Sequence, residues 1–201
     1  MKNLYLIRHG ETELNKAKVY YGATDCPLTD KGREQSRGLQ AVFAAKDIDL
    51  IYVSPLQRAR ETADIIFSPS LPRVIDPRLQ EMDFGSWEGK RYTELSDDPV
   101  FQLCQEEWES TRAPGGESFN DLAQRVESFC LNLKNTKADN VALVGHNAVL
   151  MLILPTIFSL TREQGWHFCF QQGCYSHINY AGDYPVLKAL NREAVAQPGN
   201  Q

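Results

Sequence analysis

The sequence has little that would tie it to a membrane, an oxidising compartment or nucleic acid. Its longest apolar run, Ala148 to Leu154, is too short to span a bilayer, and Met1 leads into a strand-like run without a signal peptide. The five cysteines are odd in number and form no C-x-x-C pair, which predicts reduced thiols and a cytoplasmic location. A net charge of −5 disfavours a basic nucleic-acid binder. We therefore expect no membrane and no nucleic-acid partner, and oligomeric state is left open.

What the sequence does contain is enough apolar material for one well-packed domain. The chain has 201 residues, of which 42% are hydrophobic and 23% charged. A chain of this size buries about 70% of its surface on folding, so it needs no disulfides. We predict a single domain over residues 1–201, with a frayed tail over about 197–201.

Strand and helix signals alternate along the chain. This alternation predicts an α/β fold, a three-layer α/β/α sandwich with a mostly parallel central sheet. The predicted strands cover about 3–8, 50–53, 73–75, 141–144, 173–180 and 185–190. The predicted helices cover about 29–46, 57–67, 91–113 with a break at Pro99, 118–133, and a stretch that begins near 147, while 10–28 is predicted as a loop.

Residues 83–117 are predicted to form a small helical cap inserted over the sheet. This segment holds six acidic residues between Glu94 and Glu109 and no Lys or Arg between them. The acidic run is typical of a solvated helix face, or of a lid that disfavours polyanionic ligands.

The N-terminal third carries positive charge at positions where strands end. Residues 1–60 hold ten Lys and Arg against seven Asp and Glu, a net of +3. Arg8 and His9 follow the first strand, Arg58 lies just beyond the second, and His146 follows the strand at 141–144. In parallel sheets these ends meet at one edge, where ligands bind. Two guanidiniums and two imidazoles at one edge predict a phosphoryl site, to which the helix N-termini near 57 and 147 would add N–H groups.

Such a cluster can also perform chemistry. A neutral histidine is a nucleophile that can accept a phosphoryl group, and arginines can hold the charge of the transition state. The leaving alkoxide needs a proton, which a carboxylic acid can donate. Glu81, flanked by apolar residues and followed by a glycine turn, suits this role, while Asp83 and Glu11 remain alternatives from spacing alone.

Five motifs in order resemble those of the histidine phosphatase superfamily, which includes the cofactor-dependent phosphoglycerate mutases. The first, L-I-R-H-G-E-T-E at 6–13, resembles the R-H-G-E/Q-T/S signature of that family. The others are P-L-T-D-K-G at 27–32, S-P-L-Q-R-A-R-E-T-A at 54–63, E-M-D-F-G-S-W-E-G at 81–89, and G-G-E-S at 115–118 with V-G-H at 144–146.

The resemblance implies a phosphoglycerate mutase-like fold and a role for each matched residue. It implies that His9 is the phosphorylated nucleophile and Glu81 the proton donor, which decides between Glu81 and its two alternatives. Arg8, Arg58 and His146 would form the phosphate pocket. On the substrate side the resemblance implies Asn15, Tyr21 and Gly22, with Asn15 as a turn residue being the structural alternative. The resemblance implies that no metal is needed, and we expect no cofactor for this chain.

Within the superfamily the sequence is most similar to the α-ribazole phosphatases, which hydrolyse α-ribazole 5′-phosphate to α-ribazole and phosphate during assembly of the nucleotide loop of cobalamin. The resemblance includes W-H-F at 166–168 and Q-G-C-Y-S at 172–176, for which the sequence offers no mechanistic reason. The short interval between Glu81 and His146 favours a phosphatase over a mutase. A fructose-2,6-bisphosphatase-like or broad-specificity phosphatase stays open, as does a phospholigand-binding module without turnover.

Other chemistry has weaker support. Cys169, Cys174, His167 and His177 lie close in sequence, but their spacing does not match a zinc site and we predict no metal. A G-x-S-x-G serine nucleophile is absent from the sequence. The three tryptophans are predicted to be core or cleft-wall residues and not a nucleic-acid stacking platform.

Overall fold

The computed structural model describes residues 1–194, so the predicted frayed tail lies outside the described residues. The strands are β1 (Asn3–Arg8), β2 (Leu50–Val53), β3 (Arg73–Ile75), β4 (Asn140–Gly145), β5 (Tyr175–Ala181) and β6 (Tyr184–Arg192). The helices are α1 (Glu13–Ala17), α2 (Asp30–Phe43), α3 (Gln57–Ile66), α4 (Tyr92–Leu95), α5 (Pro99–Glu106), α6 (Phe119–Lys134) and α7 (Asn147–Phe158). Three 3₁₀ turns cover Pro77–Leu79, Gly85–Trp87 and Glu163–His167.

The six strands form one sheet in the order β3-β2-β4-β1-β5-β6. The first four of these run parallel to one another, while β5 is antiparallel to β1 and β6 is antiparallel to β5. The mostly parallel α/β prediction is therefore confirmed. The bounds of β1, β2 and β3 agree with the predicted ones because a buried parallel strand is a short apolar run that ends where polar turn residues begin.

Helices cover both faces of the sheet. On β1, Leu4 and Leu6 point to one face, where they pack with α6 and α7. Tyr5 and Ile7 point to the other face and pack with α2 and α3. This alternation is the two-residue period of a strand that is buried on both sides, and it confirms the three-layer arrangement.

The register of the central strands brings three chain segments to one edge. Arg8, the last residue of β1, pairs with Gly145, the last residue of β4. Val53, the last residue of β2, pairs with Val144 of β4. The residues that follow these ends therefore lie side by side at the carboxyl edge of the sheet, where parallel α/β folds bind ligands.

Three predicted elements differ from the structure. The predicted loop 10–28 contains α1, which begins with a reciprocal capping box between Thr12 and Asn15. Helix α2 ends at Phe43 and not near residue 46. The predicted helix over 91–113 is two short helices, since Asp98 caps a new helix at Pro99 and α5 ends at Glu106.

The segment 83–117 packs through a small apolar cluster of its own. Trp87, Leu95, Phe101 and Ala113 are buried together there. Five of the six acidic side chains between Glu94 and Glu109 are exposed, as a solvated surface requires, and the sixth, Asp98, caps α5. That the chain forms a single domain with this segment as its cap stays a prediction.

Candidate active site

His9 is held as a neutral imidazole with one defined tautomer. Its ring is 2% exposed, and its Nδ1 lies 2.7 Å from the carbonyl oxygen of Gly10. A carbonyl can only accept, so Nδ1 carries the proton and Nε2 keeps its lone pair. Burial holds the pKa of His9 well below its ordinary value, and the positive charges of Arg8 and Arg58 lower it further. An unprotonated Nε2 is the form of imidazole that can act as a nucleophile.

His146 lies beside His9, with 5.1 Å between the ring centroids. It is fully buried, and its Nε2 lies 2.7 Å from Oγ of Ser54. Burial, followed by the charge of Arg58, lowers the pKa of His146 well below its usual range. The site thus holds two neutral imidazoles near arginines. They are neighbours because each histidine directly follows the end of a strand, His9 after β1 and His146 after β4, and these strands are paired.

Arg58 is buried in the first turn of α3, and its donors are directed by backbone carbonyls. Its Nη1 donates to the carbonyl of Thr24 at 2.9 Å, and its Nη2 donates to that of Gly22 at 2.7 Å. The ring of Tyr21 lies over the guanidinium, 4.8 Å from Cζ. The loop 21–24 therefore fixes the plane and direction of a fully buried cation.

Glu88 fixes that loop in turn. Its carboxylate accepts the backbone N–H groups of Gly22, Ala23 and Thr24 at 2.7–2.9 Å. Burial alone would raise the pKa of Glu88, but these hydrogen bonds from the loop outweigh it and lower the pKa below its ordinary value. Glu88 belongs to the fourth sequence motif, yet sequence reasoning assigned it no role, because its partners are main-chain groups more than 60 positions earlier.

Arg8 supplies the second guanidinium of the site, and its Nε is buried although the residue as a whole is half-buried. Its Nη1 donates to the carbonyl of Phe170, while its buried Nε has no hydrogen-bond partner among the described residues. Burial lowers the pKa of Arg8, and the nearby charge of Glu81 opposes that shift. A buried donor without a partner is costly, and an oxygen of a bound phosphate would satisfy it.

The late motif at 172–176 now has a structural reason, to which Phe170, two residues before it, contributes. Phe170 supplies the carbonyl that holds Arg8, and Gly173 donates its N–H to the carbonyls of Arg8 and His9 at 3.2 and 3.1 Å. Gly173 has a φ of +65°, and a Cβ there would collide with Gln35, so a glycine is required. The Q-G-C segment therefore clamps the backbone of the R-H-G motif.

The carboxylate of Glu81 connects its own loop to the first turn of α7. One oxygen accepts the N–H of Met82 at 3.0 Å, and the other accepts the N–H of Ala148, in the first turn of α7, at 3.2 Å. The two alternative acids are engaged elsewhere. Glu11 pairs with Lys31, whose hydrogen bond lowers the pKa of Glu11, and Asp83 accepts the N–H of Gly85.

The backbone around Glu81 is braced by a half-buried ion pair. Arg125 binds Glu117 through Nε and Nη2, at 2.8 and 2.9 Å. The same guanidinium donates to the carbonyls of Arg78, Gln80 and Glu81 at 2.6–3.1 Å. Neither residue was predicted as functional, because a sequence pattern does not reveal that a helix arginine will bind the main chain of a distant loop.

Gly10, Gly32 and Thr62, which belong to three of the motifs, hold the loop after His9 against helices α2 and α3. Gly10 and Gly32 pack so closely that a Cβ on Gly10 would overlap the backbone of Gly32. The N–H of Gly10 donates to Oγ1 of Thr62 at 3.1 Å, and the hydroxyl of Thr62 donates to the carbonyl of Arg58 at 2.8 Å. Thr62 thus ties the His9 loop directly to the helix that carries Arg58.

The three predicted substrate-side residues already have hydrogen-bond partners within the protein. Oδ1 of Asn15 accepts the N–H of Thr12 at 3.1 Å, which is the turn role kept as the alternative. Both main-chain groups of Gly22 are engaged, by Glu88 and by Arg58. The hydroxyl of Tyr21 lies 2.9 Å from Oγ1 of Thr12. Their part in substrate binding stays a prediction.

Two further expectations bear on ligands. The helix N–H groups expected to face a phosphate have protein partners, because Gln57 donates to Asp25 and Ala148 donates to Glu81. Within residues 1–194, no cluster of three or more His, Cys, Asp or Glu side chains is arranged to hold a metal ion.

The chain matches one protein family along nearly its whole length. The model of the histidine phosphatase superfamily (branch 1) matches residues 4–193. This range includes every residue of the site described above.

Relatives and solved structures agree with this match. The chain is 35% identical to the adenosylcobalamin/alpha-ribazole phosphatase of Salmonella typhimurium, over 97% of this chain and 98% of that protein. It is 28% identical to phosphoserine phosphatase 1 of Hydrogenobacter thermophilus, over 95% and 92% of the two chains. The crystal structure of the alpha-ribazole phosphatase from Shigella flexneri superposes with a TM-score of 0.91 at 34% identity, covering 98% of this chain and all of that one.

Proposed function

The chain belongs to the histidine phosphatase superfamily, as its five motifs predict, and on this basis we propose that it hydrolyses α-ribazole 5′-phosphate to α-ribazole and phosphate. The relative from Salmonella typhimurium supports this substrate, since it is similar along the full length of both chains. The observation that carries the chemistry is the unprotonated Nε2 of His9, whose imidazole lies near the charges of Arg8 and the buried Arg58.

In the first step, Nε2 of His9 attacks phosphorus, and the bond from phosphorus to the 5′ oxygen breaks. Arg8 and Arg58 hold the oxygens of the transferring phosphoryl group, and His146 contributes to the phosphate pocket by accepting the Nε–H of Arg58, which directs that guanidinium. The unpartnered Nε of Arg8 supports this role, because a phosphate oxygen would remove the cost of burying it. The 5′ oxygen leaves with a proton from Glu81, so that α-ribazole departs as an alcohol.

In the second step, water attacks the phosphohistidine. The carboxylate of Glu81 takes a proton from the water, the P–N bond breaks, and His9 recovers its lone pair as phosphate leaves. The position of Glu81 supports this role, since its charge lies near Arg8 and its backbone is fixed by Arg125. Asn15, Tyr21 and Gly22 line the substrate side in this proposal.

The product, a nucleoside, would enter assembly of the nucleotide loop of cobalamin. We place this activity in the cytoplasm, and the five unpaired thiols support a reducing compartment. Among the described residues, no helix is both long and apolar enough to cross a membrane.

The test compares kcat/KM for α-ribazole 5′-phosphate, fructose 2,6-bisphosphate and phosphoserine, together with rapid-quench trapping of phosphate on the enzyme. We expect α-ribazole 5′-phosphate to be the best substrate and an acid-labile phosphate to accumulate on His9. A higher kcat/KM for another of these substrates would refute the substrate assignment. Failure to trap phosphate on the enzyme at saturating substrate would refute the phosphohistidine intermediate.

Two variants complete this test. His9→Ala should abolish both turnover and the trapping of phosphate on the enzyme while the protein stays folded. Full activity of this variant would refute the assignment of His9 as the nucleophile. Glu81→Gln should slow alkyl phosphates much more than activated aryl phosphates, because only the former need a protonated leaving group. Equal slowing of both classes would refute the role of Glu81.

A further inference from the structure

A cavity lined by aromatic side chains lies next to the candidate active site. Its volume is about 490 Å³, within the usual range for small-molecule sites. Its walls come from three chain segments and include Tyr20, Met82, Phe84, Trp108, Phe119 and Trp166.

Two of the residues that line the cavity are direct neighbours of residues of the candidate site. Met82 directly follows Glu81, and the ring of Phe84 lies 3.3 Å from the point where Gly22 would carry a Cβ. Gly22 is the residue whose carbonyl holds Arg58. A ligand with its phosphate at His9 and Arg58 therefore has this cavity beside its leaving group.

The aromatic walls are arranged as a stacking surface. Trp166 and Phe119 stack at 5.4 Å with 22° between their planes, and Trp108 contacts both edge-on, at 5.5 and 4.8 Å. Trp166 is 56% exposed, although burying an aromatic ring of this size is favourable. A large ring left open on a cavity wall is typical of a binding surface and not of a core position.

The polar residues of the cavity disfavour a ligand that carries a second phosphate group. Of the described residues that line the cavity, none is Lys or Arg, so no cation is there to receive a second phosphate. Gln105 and Glu163 also line the cavity, and their side-chain oxygens can accept hydrogen bonds from hydroxyl groups. This combination suits a flat, uncharged aromatic group attached to a sugar.

We propose that this cavity binds the heterocyclic base of the substrate, with Trp166 as the stacking residue that sets specificity. The proposal rests on the proposed function for the identity of the base, which in α-ribazole is 5,6-dimethylbenzimidazole. It also gives the W-H-F motif at 166–168 a task, since its tryptophan forms the outer wall of the cavity.

The experiment uses two substrates that share a ribose 5-phosphate group. One of them carries the heterocyclic base and the other lacks it. Trp166→Ala should lower kcat/KM for α-ribazole 5′-phosphate by about tenfold or more, mainly through KM, and leave kcat/KM for ribose 5-phosphate unchanged. Trp166→Phe should recover most of the loss. Tyr184→Ala, which removes a ring that is 72% exposed on β6, is the matched control and should change neither substrate.

A binding measurement separates this proposal from the substrate assignment. Free 5,6-dimethylbenzimidazole should quench tryptophan fluorescence of the wild type and not of Trp166→Ala. If wild type binds the base but prefers another phosphomonoester, the cavity proposal holds and the substrate assignment fails. If the base does not bind, or if Trp166→Ala slows both substrates equally, the cavity proposal fails.

Discussion

Arg58 donates its Nε–H to Nδ1 of His146 at 3.3 Å, and this contact determines which nitrogen of the imidazole carries the proton. Because Nδ1 accepts, the proton must be on Nε2, which then donates to Oγ of Ser54 at 2.7 Å. The strand register explains the arrangement, since Val53 pairs with Val144 and the next residues are Ser54 and Gly145. A buried serine at the end of β2 thus orients a histidine at the end of β4.

Ser54→Ala should reduce kcat by about tenfold, because it leaves Nε2–H of His146 buried without an acceptor. The ¹⁵N shifts of His146 should show a mixture of tautomers, which a purely structural defect would not cause. Ser68→Ala, at an exposed hydroxyl, is the control. An unchanged tautomer together with unchanged kcat would show that Ser54 does not position His146.

Glu88→Gln should weaken competitive inhibition by inorganic phosphate by about tenfold, because an amide has one acceptor oxygen where the carboxylate uses two for the loop 22–24. The loop would then hold Arg58 less firmly. The matched control is Glu106→Gln on the exposed surface of α5. Phosphate inhibition as strong as in the wild type would contradict this role of Glu88.

Arg125→Lys should act on the proton donor at a distance. Lysine cannot bridge Glu117 and three carbonyls at once, so the Glu81 loop should lose its fixed position. We expect hydrolysis of alkyl phosphates to fall by about tenfold and that of activated aryl phosphates to change little, the same signature as for Glu81→Gln. Arg112→Lys, at an exposed arginine of the segment 83–117, is the control. Equal slowing of both substrate classes would indicate a general loss of structure.

The two buried histidines predict a stability that falls in mild acid. The folded-state pKa of both His9 and His146 is lowered well below its ordinary value, chiefly by burial. Below about pH 6.5 the unfolded chain therefore binds more protons than the folded one, and stability decreases as pH falls. Each histidine contributes at most one proton to this difference, which limits how steeply it can make stability depend on pH.

Urea unfolding between pH 5.5 and 7.5 checks this expectation. His9→Gln removes one of the two groups, so its free energy of unfolding should depend less steeply on pH than that of the wild type. The exposed His167 provides the control, since His167→Gln should keep the wild-type slope. Parallel pH profiles for wild type and His9→Gln would contradict the assignment of a buried, neutral His9.

The fold was predictable from sequence where burial dictates the pattern. Strand β1 and helix α6 are examples, the first an apolar run and the second an apolar stripe that begins at the capping residue Ser118. Helix α1 was missed because it has five residues, buries none of them and depends on the Thr12–Asn15 capping box. The predicted helix over 91–113 ends early because residues 107–117 fold into turns against the Asp83 loop.

The candidate site was predictable only for residues that carry chemistry within a motif. His9, Arg58 and His146 follow strand ends, so parallel topology alone places them together. Residues such as Arg125 act by binding main-chain carbonyls, and no pattern in one sequence shows which carbonyls a side chain will reach. The aromatic cavity was hidden for the same reason, because it forms only when the segments at 20, 82–119 and 163–166 pack together.

The pairing of Arg8 with Gly145 and of Val53 with Val144 has a consequence for how activity is lost. The reacting groups come from stretches of chain separated by more than 130 residues, and the hydrogen bonds of three adjacent strands bring these stretches to one edge. Activity should therefore report on the intact sheet, and its loss in denaturant should coincide with the loss of sheet structure measured by circular dichroism. A piece of the chain that lacks any one of these three strands would lack a complete phosphate pocket, so the fold and the reaction should appear and disappear together.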